Sequence, residues 1–245
     1  MAEDMKILVT VFIGLFVAVV FGLSCMLAGF GSRWGWWYFR TGFIILRWSA
    51  YGGLVAILAC SIGLICSFRG GITVGAALAL IGVLIGIATA GIPLSWQQAL
   101  KRVPRIHDIT TDTTNPPRFI SILPLRKNAS NQAEYGGPDV AAQQLAAYPD
   151  TKPLVVNQPG AIVFERALDS ARRMGWEIID ANKNDGRIEA VDTTFWFGFK
   201  DDIVIRVRAD GSGSRIDLRS VSREGRSDVG MNAKRIQAFL KMMQS

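Results

Sequence analysis

Residues 7–30, ILVTVFIGLFVAVVFGLSCMLAGF, form the stretch that decides the fold: 24 consecutive positions without a charged side chain. A helix rising about 1.5 Å per residue needs only ~20 residues to cross a ~30 Å hydrocarbon layer, so this segment spans a membrane by length alone. Two further uncharged runs follow, Trp48–Phe68 and Gly70–Trp96. Three spans are expected. A cleaved signal peptide is the rival for the first, but its apolar core is too long and Lys6 is its sole positive flank. Gly22-Leu23-Ser24-Cys25 resembles a lipoprotein cleavage site only weakly, because Gly22 stands where a large aliphatic belongs.

Small residues recur every four positions: Gly14, Ala18 and Gly22; Gly52, Ala56 and Cys60; Gly71, Gly75 and Ala79; Gly82, Gly86 and Ala90. Such spacing lines one helix face with small side chains, so backbones can approach where lipid offers no hydrophobic reason to associate. Packing within one chain and self-association both use this pattern. The spans carry no interior ionisable group, which argues against a pump or ion-coupled transporter. Cys25, Cys60 and Cys66 lie within the spans as small hydrophobes, so neither a disulfide framework nor a metal site is expected.

Between the first two spans, Arg33, Trp34, Trp36, Trp37, Arg40 and Arg47 read as membrane-interface residues, since indole rings gather at headgroup level. Arg33, Arg40 and Arg47 are seven apart and would share a helix face. The segment therefore reads either as a flat interfacial helix or as an anchored loop, the latter suggested by Gly31, Gly35 and Gly42.

The rest of the chain is different material. Of 27 basic and 20 acidic residues, five basic and two acidic precede Ala99, leaving 22 and 18 beyond it. Mean hydropathy over the whole is +0.27. With three spans, six flanking cations on one side against two on the other orient the polar half toward the cytoplasm, with a periplasmic placement as the alternative. The region reads as 99–158, an extended connector with loops, and 159–245, the core of an α+β domain. Within the connector, Asn115-Pro116-Pro117 forbids helix and only Asp139–Ala147 looks helical.

From Pro159 the periodicity is clear. Phe164, Leu168, Ala171 and Met174 mark a helix over Gly160–Met174, closed by Gly175. Trp176–Asp180 and Arg187–Thr193 form a hairpin. Ile203, Ile205 and Val207 alternate with Arg206 and Arg208, and beyond an Asp210-Gly211-Ser212-Gly213 turn Ile216 and Leu218 alternate with Arg215, Asp217 and Arg219. A last helix follows Ser227 or Asp228 as N-cap. The fold class is thus an α-helical transmembrane region of three spans followed by a two-layer α+β domain with an antiparallel sheet.

Candidate chemistry is sparse. His107 is the one histidine, with Asp108 and Asp112 nearby, and these are the weak catalytic candidates; a connector histidine held by its neighbours is the plainer reading. Nucleophile-elbow, zincin, Walker and dinucleotide signatures are absent. No cofactor and no metal are expected. Arg219, Arg223, Arg226 and Ser227 are anion-binding candidates, because a guanidinium cluster beside a helix N-terminus suits phosphate or carboxylate; a salt-bridged solvated face is the competing reading. Phe195, Trp196, Phe197 and Phe199 are either packed or presented as an apolar surface. A balance of +4 in the polar half does not argue for nucleic acid.

The runs Ile106–Asp112 with Asn115-Pro116-Pro117, Asp192–Asp202, Arg219–Arg223, Gly225–Asp228 and Asn232 closely resemble the DUF1499 family of uncharacterised bacterial and chloroplast proteins, over about 103–240. The three-span N-terminus resembles one bacterial branch. The resemblance supplies no catalytic residues; taken with the three spans it leads us to expect a bacterial inner-membrane, multi-pass protein. Together these features suggest a non-catalytic binding or envelope-assembly factor. Its expected partners are the lipid bilayer, anionic lipid headgroups, another envelope protein or a second copy. A membrane-bound enzyme using His107, Asp108 and Asp112 is the alternative.

Overall fold

The structure, a computed structural model, describes residues 2–244 and divides into two compact units. The first comprises residues up to Ala99 together with Phe195–Gly198; the second comprises Leu100–Thr194 and the residues from Phe199 onward.

The first unit is built from α1 (Ala2–Arg33), α2 (Phe39–Arg69) and α3 (Thr73–Arg102), each long and apolar enough to cross a membrane. Their large aliphatic residues point outward while the small ones meet between helices, the inverse of a soluble core. Gly14 packs on Cys60, Gly63 on Val11 and Gly22 on Ile85. At the Gly53–Gly86 crossing a Cβ on Gly53 would stand 3.0 Å from the Gly86 carbonyl, so two backbones touch with no side chain between. The four-residue stripes thus meet neighbouring helices of the same chain, apart from Gly71, which has φ +66° and sits in the turn before α3.

The aromatic stretch is neither a flat helix nor a long loop. Gly31–Arg33 finish α1, a turn closes through Trp34 N–H to Phe30 O (2.8 Å) and Trp36 N–H to Gly31 O (2.8 Å), and α2 opens at Phe39. Gly35, at φ +76°, makes the reversal possible. The seven-residue arginine spacing is thereby split: Arg33 ends one helix and Arg40 and Arg47 lie on the next.

The second unit is an antiparallel sheet with helices. Its strands are β1 (Asp108–Thr110), β2 (Leu154–Val156), β3 (Glu177–Asn182), β4 (Arg187–Thr193), β5 (Lys200–Asp210) and β6 (Gly213–Ser222), in the order β1-β6-β5-β4-β3, with β2 also paired to β6. The two expected hairpins are β3–β4 and β5–β6. The connector adds β1 and β2 on the outer edge of β6, through Asp108↔Val221 and Leu154↔Ile216. It is thus part of the domain, not a tether to it.

One sheet face carries Ile188, Ile203, Ile205, Ile216 and Leu218 beneath α5 (Gly160–Arg173) and α6 (Met231–Gln244), with Phe164, Leu168, Ile236 and Phe239 completing the core. A short α4 (Gly137–Ala147) reaches β1 through Gln144, whose Oε1 accepts Thr110 N–H at 2.9 Å and whose amide donates to Thr110 O at 2.6 Å. The opposite face is not open to solvent. Phe119 and Ile122, from the stretch after β1, close over Val191, Val204 and Val221 and bury a second, smaller core.

Candidate functional site: a paired arginine and aspartate framework

Register places Arg206, Asp217, Glu189, Arg219 and Asp202 on that second face, in successive cross-strand rows. A covering layer would strand these charges unless each found a partner, because an unpaired buried charge is far costlier than a paired one. The layer and the neighbouring strands supply the partners.

Arg219 donates Nε–H to Asp108 Oδ1 (2.9 Å) and Nη2–H to Oδ2 (2.7 Å), both residues being buried. Its guanidinium also reaches Ala133 O at 2.8 Å and lies 5.2 Å and 5.5 Å from the ring centres of Phe119 and Tyr135. Planar stacking plus a fork is a role for Arg that Lys does not fill. Burial, with Asp108 adding to it, pushes the Tyr135 hydroxyl up to about 12.

Asp202 is shared by two guanidinium groups. Arg223 donates from Nε to both oxygens (3.0 Å each) and from Nη2 to Oδ1 (2.7 Å), while Arg126 donates to Oδ2 and, at 2.9 Å, to Asn131 O. Farther along the face, Arg206, Arg208 and Arg215 each donate to Asp217 at 2.9 Å. Asp112 accepts Arg215 at 2.9 Å and the backbone N–H groups of Thr114 (3.2 Å) and Asn115 (2.9 Å). The hydrogen bond to Asp217 is the main reason the Arg215 guanidinium is held above its ordinary value.

Glu189, fully buried, is the residue of this face that receives the backbone itself: its carboxylate accepts the N–H groups of Ile120 (2.8 Å), Ser121 (3.1 Å) and Ile122 (2.8 Å). On the helix face, Arg235 of α6 donates to Asp192 (2.8 Å), Asp201 (2.6 Å) and Ser220 (3.1 Å). Asn232 donates to His107 O and to Ser222 Oγ, each at 3.0 Å.

Alternation separates the suggested catalytic trio. Ser222 N–H to His107 O (3.0 Å) extends the β1–β6 ladder by one residue, so His107 and Asp108 leave the chain on opposite sides. Asp108 turns to Arg219 and Asp112 to Arg215, whereas His107 bonds the Arg226 backbone and feels the charge of Asp108 and, less strongly, that of Asp228. Burial lowers the His107 imidazole despite those neighbours. Burial likewise raises the Asp228 carboxyl, although it accepts Gly230 N–H (2.9 Å) and Asn232 N–H (2.7 Å) as the cap of α6. Among the described residues, no group of three or more His, Cys, Asp or Glu is placed to hold a metal ion.

Of the four anion-binding candidates, Arg219 and Arg223 are occupied as described. Ser227 donates to Pro104 O and accepts Val229 N–H, each at 3.3 Å. Arg226 is exposed. The aromatic run divides. Within the first unit, Trp196 donates Nε1–H to Met26 O (2.9 Å), its indole over Gly29; Phe197 is buried 5.1 Å from the Phe43 ring; and Phe195 remains exposed, with Arg33 donating to its carbonyl at 2.9 Å. Phe199 lies in the second unit, closing a small turn with Thr194 through two 2.8 Å hydrogen bonds. Trp37 folds back to donate to Ala28 O (3.2 Å), while Trp34 and Trp36 face outward with Arg33, Arg40 and Arg47.

Glu189, Arg126 and Arg235 are central to this framework and carry no motif. The one usable signal was Glu189 in alternation between Ile188 and Ala190, which places it on the polar face without showing that the face is covered. No curated protein matches the chain. The family model described as protein of unknown function (DUF1499) matches residues 108–243, from the first residue of β1 to the last turn of α6, and the chain belongs to that family.

Proposed function

We propose that the protein is a non-catalytic, membrane-anchored binding or envelope-assembly factor of the bacterial inner membrane, with its α+β domain on the cytoplasmic side, recognising anionic lipid headgroups. One observation supports this reading: the interior arginines and aspartates are matched to one another, while four of the solvent-exposed cations lie where the chain leaves α3. Lys101, Arg102, Arg105 and Arg226 are all exposed. Ser227 and Asp228 hold the Arg226 loop to Pro104 and Ile106, beside the backbone that carries the other three cations. Juxtamembrane cations of this kind attract an anionic surface by about 1 kcal/mol each.

The test is complementation of a deletion strain alongside lipid binding by the purified full chain, read as phosphatidylglycerol retained in native mass spectra. Replacing Arg105 and Arg226 by Gln should remove the bound lipid and complementation while the protein stays folded. His107→Ala should preserve both. Complementation lost with His107→Ala at unchanged protein level would instead favour the enzyme, since a general base contributes typically 10²–10⁴-fold in rate. Protease digestion of a C-terminal tag in intact spheroplasts would reverse the orientation.

A further inference from the structure

The 3₁₀ turn Leu123–Arg126, with the residues leading into it, presents aliphatic side chains to water from a firmly held backbone. Ile120, Leu123 and Leu125 are 55%, 45% and 50% exposed, whereas Ile122 between them is fully buried. Glu189 fixes the backbone at Ile120–Ile122, Arg126 is tied to Asp202, and Arg223 Nη1 donates to Leu125 O at 3.3 Å. Folding gains nothing from fixing these three side chains in solvent, and clustered exposed aliphatics mark an interaction surface.

The position of the turn narrows the partner. Arg223, which holds Leu125, also donates its backbone N–H to Lys200 O at 2.9 Å, at the start of β5. At this same end β6 finishes, and Ser222 bonds His107 as the chain arrives from α3. Five residues separate the end of α3 at Arg102 from Asp108, a link of at most ~22 Å. Arg118, Lys127, Lys200 and Arg226 are exposed cations nearby in the chain and ladder.

We infer that this end of the sheet is a bilayer-contacting surface, with Leu123 and Leu125 entering the boundary between headgroups and acyl chains and the cations meeting anionic headgroups. Aliphatic residues beside Lys and Arg are the chemistry of an interfacial anchor. The inference rests on the reading of the domain as one that works at a membrane surface, and it names the element that makes contact.

Hydroxyl-radical footprinting of the unaltered full chain decides it. The protein is reconstituted into phosphatidylglycerol-containing vesicles at fewer than one chain per vesicle, which removes shielding by a second copy. Leu123 and Leu125 should be oxidised several-fold more slowly than Val155, which pairs with Arg215 near the start of β6, and Ile162, which follows Gly160 beside Ser214; both are similarly exposed. Replacing the anionic lipid with a neutral one should narrow the difference. Equal oxidation of all four residues overturns the inference, even with lipid binding through Arg226 intact. Protection at Leu123 and Leu125 together with loss of that lipid binding overturns only the functional reading.

Discussion

Asp108 presents both carboxylate oxygens to Nε and Nη2 of Arg219, so β1 and β6 are joined by a charged fork as well as by a backbone ladder. Because the pair is buried, removing one member leaves the other uncompensated. Asp108→Ala should destabilise the domain by about 3–5 kcal/mol in chemical denaturation. Arg173→Ala, which breaks the exposed Arg173–Asp169 pair on α5, should change stability by less than about 1 kcal/mol. Similar effects from the two would mean the fork contributes no more than a surface pair.

Glu189 supports the covering layer from below. Glu189→Ala orphans three backbone N–H groups, each costing about 1–3 kcal/mol if it stays buried. Hydrogen exchange at Ile120, Ser121 and Ile122 should accelerate well before the β5–β6 ladder opens. Unchanged protection there would show that the layer is held by Phe119 and Ile122 packing alone.

The lowered His107 imidazole fixes a sign for pH dependence. Its ordinary value is 6.5, and the folded chain holds the proton less tightly than the unfolded one. Its contribution to stability is therefore fully present above pH 6.5 and is lost as pH falls to and through the lowered value. His107→Gln should flatten the melting temperature against pH just below 6.5, leaving any loss in more acid solution to carboxylates such as Asp180, which its hydrogen bond to Arg187 holds below its ordinary value. An unaltered slope in the His107→Gln variant would contradict this.

Val229 sits at φ +55°, a region that β-branched residues adopt only under strain. Val229→Gly should relieve about 1–2 kcal/mol and raise the melting temperature. A lower one would show that its side-chain packing outweighs the backbone cost.

In the bundle, Gly86 faces the Gly53 carbonyl, where an added Cβ would stand 2.8 Å from that oxygen. Gly86→Leu should separate α2 from α3 and lower the thermal midpoint in detergent, whereas the outward-facing Leu84→Ala should shift it little. Equal midpoints would mean that the backbone contact is dispensable.

Elements whose pattern repeats over many residues were legible in the sequence: the three apolar helices, both hairpins, and the helices carrying Phe164–Ala171 and Ile236–Met243. Strands β1 and β2 were not, because three residues make no alternation and Asp108-Ile109-Thr110 is buried at every position. Only an existing β6 edge makes Asp108–Thr110 a strand. The arginines at 206, 208, 215 and 219 were readable as sharing one face. That the face is roofed, and that Asp108 and Asp112 serve as counter-charges there, depends on a return of the connector that no local spacing encodes. Trp196 and Phe197 read ambiguously for the same reason: their neighbours, Gly29 and Phe43, stand more than 150 positions away.

The edge position of β1 also has a timetable. Asp108 leaves the ribosome 111 residues before Arg219, an interval of roughly 6–20 s at ordinary elongation rates. Throughout that interval the nascent chain carries a solitary carboxylate, an unpaired strand and an uncovered Phe119 beside a newly inserted helix. Whatever keeps that stretch from premature association must act during translation, so slowing elongation between β1 and β6 should lower the yield of folded protein without altering a single contact in it.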